Sequence, residues 1–97
     1  MGRIHEIKLS REFQDAVLSG DKPFEVRYND RGYQKGDLVK FHVVDRVNVV
    51  EPLDDKTFEI TYVLSGWNIE PGYVVFGIRP VEERTGRDQG GGIMWKN

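Results

Sequence analysis

Five short runs in which apolar and polar residues alternate constrain this chain more than any other feature. They cover residues 4–9, 24–29, 38–45, 57–64 and 73–81, and Gly, Pro, Asn and Asp cluster in the gaps between them. A period of two sends successive side chains to opposite faces of a strand, so each run predicts a strand with one face buried. Val39, Phe41 and Val43 make one such face, and Phe58, Ile60, Tyr62 and Leu64 make a second. Ile4, Ile7 and Leu9 make a shorter, imperfect one. Residues 73–81 are apolar enough to lie centrally in a sheet. Asn29-Asp30-Arg31-Gly32 and Gly36-Asp37 read as turns, because Asn and Asp bond their own backbone and Gly supplies positive φ. Residues 47–55 read as a connection in which Pro52 and Asp54-Asp55 break any ladder.

One segment has helical spacing instead. Phe13, Ala16, Val17 and Gly20 fall on one face, Ser10 suits the N-cap and Glu12 the positive end of the helix dipole. Gly20 then reads as the left-handed residue that ends the helix, and Pro23 keeps it from resuming. One early helix followed by four to six short strands predicts an α+β, mainly β fold. Its form is a small pseudo-β-barrel, since closure removes the edges that short strands otherwise expose. Residues 1–83 read as one domain. Residues 84–97, with Gly90-Gly91-Gly92, carry too little apolar surface to order themselves and read as a mobile tail, with Ile93-Met94-Trp95 as its one docking segment.

Composition narrows the function. The 97 residues contain no Cys and two His, so no disulfide framework and no metal centre is expected, and no cofactor is implied. A net charge of −2 argues against non-specific binding along duplex nucleic acid. Between residues 22 and 46, however, six basic residues stand against four acidic ones, enough for a small cationic groove. No apolar run approaches the ~20 residues of a membrane span, and the first residues lack a secretory signal's apolar core. The expectation is a soluble, cytoplasmic protein.

The chemistry concentrates in Gly20-Asp21-Lys22-Pro23-Phe24-Glu25-Val26-Arg27. Alternation groups Phe24, Val26 and Tyr28 on one face, read as core, and Glu25, Arg27 and Asn29 on the other, read as polar, with Lys22 at the strand's entrance. Arg27 offers a planar fork for a phosphate or base edge, and Glu25 accepts from an exocyclic amine. Lys22 serves as a nucleophile or base only if its pKa falls well below ~10.4. The plainer reading is a surface ion pair worth ~1 kcal/mol or less. Asn29, Asp30 and Arg31 read first as a turn, with Arg31 also adding positive potential at a cleft mouth. Tyr33, in a loop, reads as a better base-stacking platform than Tyr28. Trp67 has two readings: a stacking platform worth ~1–3 kcal/mol per base, or a plug at one barrel end. His5 reads as satisfied by a backbone or carboxylate partner, and His42 as exposed.

Gly20-x-Lys22-x-x-Glu25-x-Arg27 resembles the G-x-K-x-x-E-x-R signature of ASCH domains, members of the PUA-like superfamily of small β-barrels. A longer set of blocks resembles a bacterial and phage family of ASCH-like domains of unknown function. It includes His5-Glu6-Ile7-Lys8-Leu9, residues 24–31, Gly36-Asp37, Gly66-Trp67 and residues 70–75, and the resemblance spans about residues 4–81. It implies a pseudo-barrel whose cleft, beside the signature, holds single-stranded RNA or a modified nucleobase. It also implies a histidine at position 5 that lines the cleft. Some relatives are amidohydrolases that deacetylate acetylated cytidine with the signature lysine, here Lys22. Their partner threonine falls at Glu25, and no separate catalytic acid is placed by motif, so binding is expected over catalysis. The expected binding residues are Lys22, Glu25, Arg27, Asn29, Arg31, Tyr33, Trp67 and His5. The alternatives are a nucleoside amidohydrolase and a phage or host interaction scaffold, and oligomeric state is open.

Overall fold

The computed structural model describes residues 2–45, 49–52 (backbone only) and 56–81. Its elements are β1 (Ile4–Ser10), a 3-10 turn (Arg11–Phe13), α1 (Gln14–Ser19), β2 (Phe24–Tyr28), β3 (Leu38–Val44), β4 (Val49–Pro52), β5 (Phe58–Leu64) and β6 (Tyr73–Pro80). All six strands belong to one sheet in the order β1-β3-β5-β6-β2, with β4 also paired to β3. β1 runs parallel to β3 and every other pair is antiparallel. The sheet curls into a half-barrel, which makes the protein a small α+β fold dominated by strands. β1 and β2 lie at the two ends of the order, and among the described residues no ladder joins them.

The concave face holds the core. Val39, Phe41 and Val43 alternate into it from β3, where each buried side chain contributes about 1.5–3 kcal/mol. Ile7 and Leu9 join from β1, Phe58 and Ile60 from β5, and Val74, Phe76 and Ile78 from β6. Phe41 and Phe58 meet edge to face at 5.5 Å. In β1 the buried set is His5, Ile7 and Leu9, while Ile4 faces out. Ser10 makes no capping bond, and a 3-10 turn occupies the first turn expected of the helix. α1 follows it and stops at Gly20, whose φ of 88° is the left-handed conformation that position requires.

Three further expectations are overturned. Residues 49–52 form β4, with Pro52 at its very end, opposite His42, where its missing N–H breaks no interior ladder bond. In β5 the register shifts between Ile60 and Tyr62, so the expected single face of Phe58, Ile60, Tyr62 and Leu64 is split. Tyr62 turns outward and Val63 packs on the core instead. Gly77 accommodates this irregularity: a Cβ there would stand 2.6 Å from Thr61 Oγ1.

The third correction moves the signature. Phe24, Val26 and Tyr28 are exposed, while Glu25 is 4% exposed and faces inward. Register agrees, since Glu25 pairs with Phe76 and Arg27 with Val74, both buried on β6. Alternation shows which residues share a face, and a strand can turn its polar set inward when those groups satisfy one another. The expected tail, residues 84–97 with Ile93-Met94-Trp95, lies outside the described residues.

The seam between the end strands as a candidate binding site

Arg27 spans the gap between β2 and β1. Its Nη2 donates to the Lys8 carbonyl oxygen, so among the described residues the edge of β1 away from β3 meets β2 through a side chain instead of a ladder. Its Nε donates to Glu25 Oε1 at 3.1 Å, and Nη2 lies 3.0 Å from the same oxygen. Lys22 Nζ donates to the other carboxylate oxygen, Oε2, at 2.8 Å and to the Phe24 carbonyl at 3.0 Å. One buried carboxylate therefore holds two half-buried cations, leaving a local excess of positive charge. The Lys22 ammonium also lies 5.0 Å and 5.1 Å from the ring centres of Phe13 and Phe24, a cation–π arrangement. Gly20 makes this possible by ending α1, after which the Lys22 amide donates to the Ala16 carbonyl and the chain turns into β2.

Two cavities meet at Arg27. One, of about 500 Å³, is lined by Lys22, Glu25, Phe13 and the end of β1. The other, of about 490 Å³, lies toward the 29–33 loop and is lined by Arg31, Asp30, Tyr33, Glu6 and His42. Lys8, Arg27 and Tyr28 line both, so the cavities are contiguous parts of one cleft along the seam.

The remaining expected residues separate into those in the cleft and those outside it. Arg31 lines the second cavity, and its carbonyl accepts from the Arg3 guanidinium. Tyr33 is 4% exposed, not a free loop platform, because its ring packs against His5 and Phe76 at 4.7 Å each. Burial raises its phenol above the ordinary value of 10.0, against the opposing pull of Arg27 and Arg31. Asn29 is exposed and works as turn chemistry, its Oδ1 accepting from the Tyr33 amide at 3.0 Å. Tyr28, expected in the core, is exposed with its ring edge-on to Tyr73 at 5.5 Å.

Trp67 plugs nothing among the described residues. It is 83% exposed, and its φ of 54° is a left-handed conformation that costs a bulky residue about 1–2 kcal/mol. His5 lines neither cavity. Its Nε2–H donates to Asp37 Oδ2 at 2.7 Å, the direction an ionised carboxylate requires. Burial acts to raise the Asp37 pKa, but the bonds from His5 and from the Arg3 and Gln34 amides outweigh it, and the group lies below its ordinary 3.8. This buried cluster ties β1 to the turn before β3.

His42, expected to be exposed, is half-buried, and its Nε2 lies 2.7 Å from Glu6 Oε1. Lys8, Glu6 and Phe13 were not expected in the cleft. Among the described residues no group of three or more His, Cys, Asp or Glu gathers to hold a metal ion.

Over 42 residues the chain is 45% identical to an uncharacterized 12.9 kDa protein in the GpA 3′ region of Escherichia phage P2. That match covers 43% of this chain and 38% of the phage protein, so the chain matches well under two thirds of that relative's length. Residues 4–78, which contain every strand but the last two residues of β6, match the family described as a domain of unknown function, DUF3850. With most of its length inside that match, the chain belongs to the DUF3850 family.

Proposed function

We propose that this chain is an ASCH-like, PUA-like domain that binds single-stranded RNA or a modified nucleotide in the cleft between β1 and β2. The observation that supports this most is the convergence of Lys22, Glu25 and Arg27, linked by contacts of 2.8–3.1 Å, on a cavity large enough for a nucleoside. The trio offers donors on both sides of one acceptor, which suits the edge of a base. Binding is preferred to amide hydrolysis because the Lys22 amine spends hydrogen bonds on Glu25 and the Phe24 carbonyl, as an ammonium does. Calorimetry against a panel of nucleosides and short RNAs tests the reading. A Lys22→Ala, Arg27→Ala variant that is folded by circular dichroism should lose binding, and wild-type affinity in it would remove these residues from the site.

A second reading, a scaffold for protein contacts, has one observation in its favour. The outer face of β5, β6 and β2 exposes Tyr62, Tyr73, Phe24, Val26 and Tyr28 side by side. With side-chain areas near 150–250 Å², these five present on the order of 500 Å² of accessible apolar surface. Two copies face to face would bury about 1,000 Å², the lower bound for a specific interface. None of these five side chains is itself charged. Sedimentation velocity should show a dimer that Tyr62→Glu dissociates, and a monomer at all concentrations would end this reading.

A further inference from the structure

We propose that the cavity on the 29–33 side of Arg27 is a phosphate subsite of the same cleft, formed by Lys8, Arg27, Arg31 and the Tyr33 hydroxyl. This rests on the nucleotide reading above and extends it to residues outside the signature. Three observations support it. First, the cavity of about 490 Å³ adjoins the signature cavity at Lys8, Arg27 and Tyr28, which line both. Second, Lys8 and Arg31 line it and their side chains make no hydrogen bond or ion pair with the described residues, while Arg27 spends its Nε on Glu25 and has N–H groups to spare. Of the two carboxylates present, Glu6 is engaged by His42. Asp30 remains, so the cations exceed the acids.

The third observation is the most specific. Tyr33 is 4% exposed, yet its hydroxyl makes no hydrogen bond among the described residues. Tyr33 lines this cavity together with Arg27 and Arg31. A buried O–H without an acceptor is costly to folding, and a phosphate oxygen in this cavity would accept it. Charge-assisted bonds from two guanidinium groups and an ammonium suit a phosphate's several oxygens.

The phosphate belongs either to a free nucleotide or to an RNA backbone, and the test separates them. Inorganic phosphate, nucleosides, their 5′-monophosphates and short RNA oligonucleotides are titrated at constant ionic strength, with amide chemical shifts as the readout. Phosphate should shift amides around residues 27–33, and Lys8→Ala with Arg31→Ala should weaken it about tenfold or more. Tyr33→Phe should weaken phosphate several-fold while leaving thermal stability equal or higher. Nucleoside affinity should stay unchanged in Tyr33→Phe, because Tyr33 lines this cavity and not the signature one. Phosphate that leaves those amides unmoved, or wild-type phosphate affinity in the double variant, overturns the subsite. So does a large loss of stability in Tyr33→Phe, which would give the hydroxyl a structural partner. Phosphate binding without any nucleoside binding sinks only the nucleotide reading, and nucleoside binding without phosphate sinks only the subsite. Monophosphates that bind more tightly than their nucleosides assign the subsite to a free nucleotide, and a gain confined to oligonucleotides assigns it to backbone phosphate.

Discussion

Replacing Lys22 with methionine isolates what the inward-facing carboxylate needs. Glu25 is 4% exposed and holds Lys22 at 2.8 Å and Arg27 at 3.0 Å. Methionine keeps most of the stem's packing near Phe13 and Phe24 but removes the charge. Breaking a fully buried pair costs about 3–5 kcal/mol, because one charge is left behind without a partner. Here the Lys22 side chain is 18% exposed and Arg27 stays in place, so the cost falls to about 1.5–2.5 kcal/mol. The lost cation–π contacts are part of that range. For a domain of this size the melting temperature should drop by about 10 °C. Adding Glu25→Gln removes the stranded charge, so the double variant should recover about half of the loss or more. Urea unfolding followed by circular dichroism reads both, with an unchanged slope showing that the denatured state is the same. A loss below about 0.5 kcal/mol in Lys22→Met would refute the reasoning. So would a double variant whose loss equals the sum of the two singles, since the charges would then be uncoupled.

Asp37 sets the acid limb of stability. Its folded pKa lies below the ordinary 3.8, so its contribution is present above that value and is lost as pH falls through the folded one. Asp37→Asn should cost about 1–3 kcal/mol at neutral pH and flatten the fall in urea midpoint below pH 4. Tyr33 acts at the other end with the opposite sign. Its folded pKa lies above 10.0, so its contribution is present below pH 10 and is lost as pH rises through the folded value. Tyr33→Phe should therefore remove part of the alkaline decline in stability. Trp67→Gly relieves the left-handed φ of 54° and should raise stability by up to about 1 kcal/mol, read by thermal melting. If the ring stacks on RNA, the same variant loses affinity for it.

Alternation located β1, β2, β3, β5 and β6 to within a residue or two, because a period of two is visible wherever a strand has one buried face. It went wrong where that premise fails. The irregularity between Ile60 and Tyr62 reverses the phase within β5, and nothing local to Thr61 announces it, since the cause is the close approach of Gly77 from another strand. β4 was read as a connection because Pro52 was weighed as an interior residue, whereas it closes the strand. At the candidate site the motif picked out Lys22, Glu25 and Arg27 correctly as neighbours, but hydrophobicity turned them the wrong way. Tyr33 was legible as a functional residue type and not as a packed one, because what buries it is His5 and Phe76. His5 was read as satisfied by a backbone or carboxylate partner, and Asp37 is that carboxylate.

The inversion of β2 and the presence of a cleft have a common physical cause. A sheet whose end strands face one another leaves edge backbone groups unpaired and an inner face without a neighbour. A full β1–β2 ladder would satisfy the backbone but fill the space, and the inner face of β2 would then need apolar side chains. Here one guanidinium does the bridging, donating to the Lys8 carbonyl while its Nε holds Glu25. Glu25 and Arg27 can face inward at tolerable cost because they pair with each other and Glu25 also holds Lys22. Their apolar neighbours, Phe24, Val26 and Tyr28, go to the convex side. The charged groups sit on or beside strands whose register fixes their spacing, which gives a ligand a preorganised surface. Among the described residues, then, the end strands meet through a paired carboxylate and an arginine in place of a ladder.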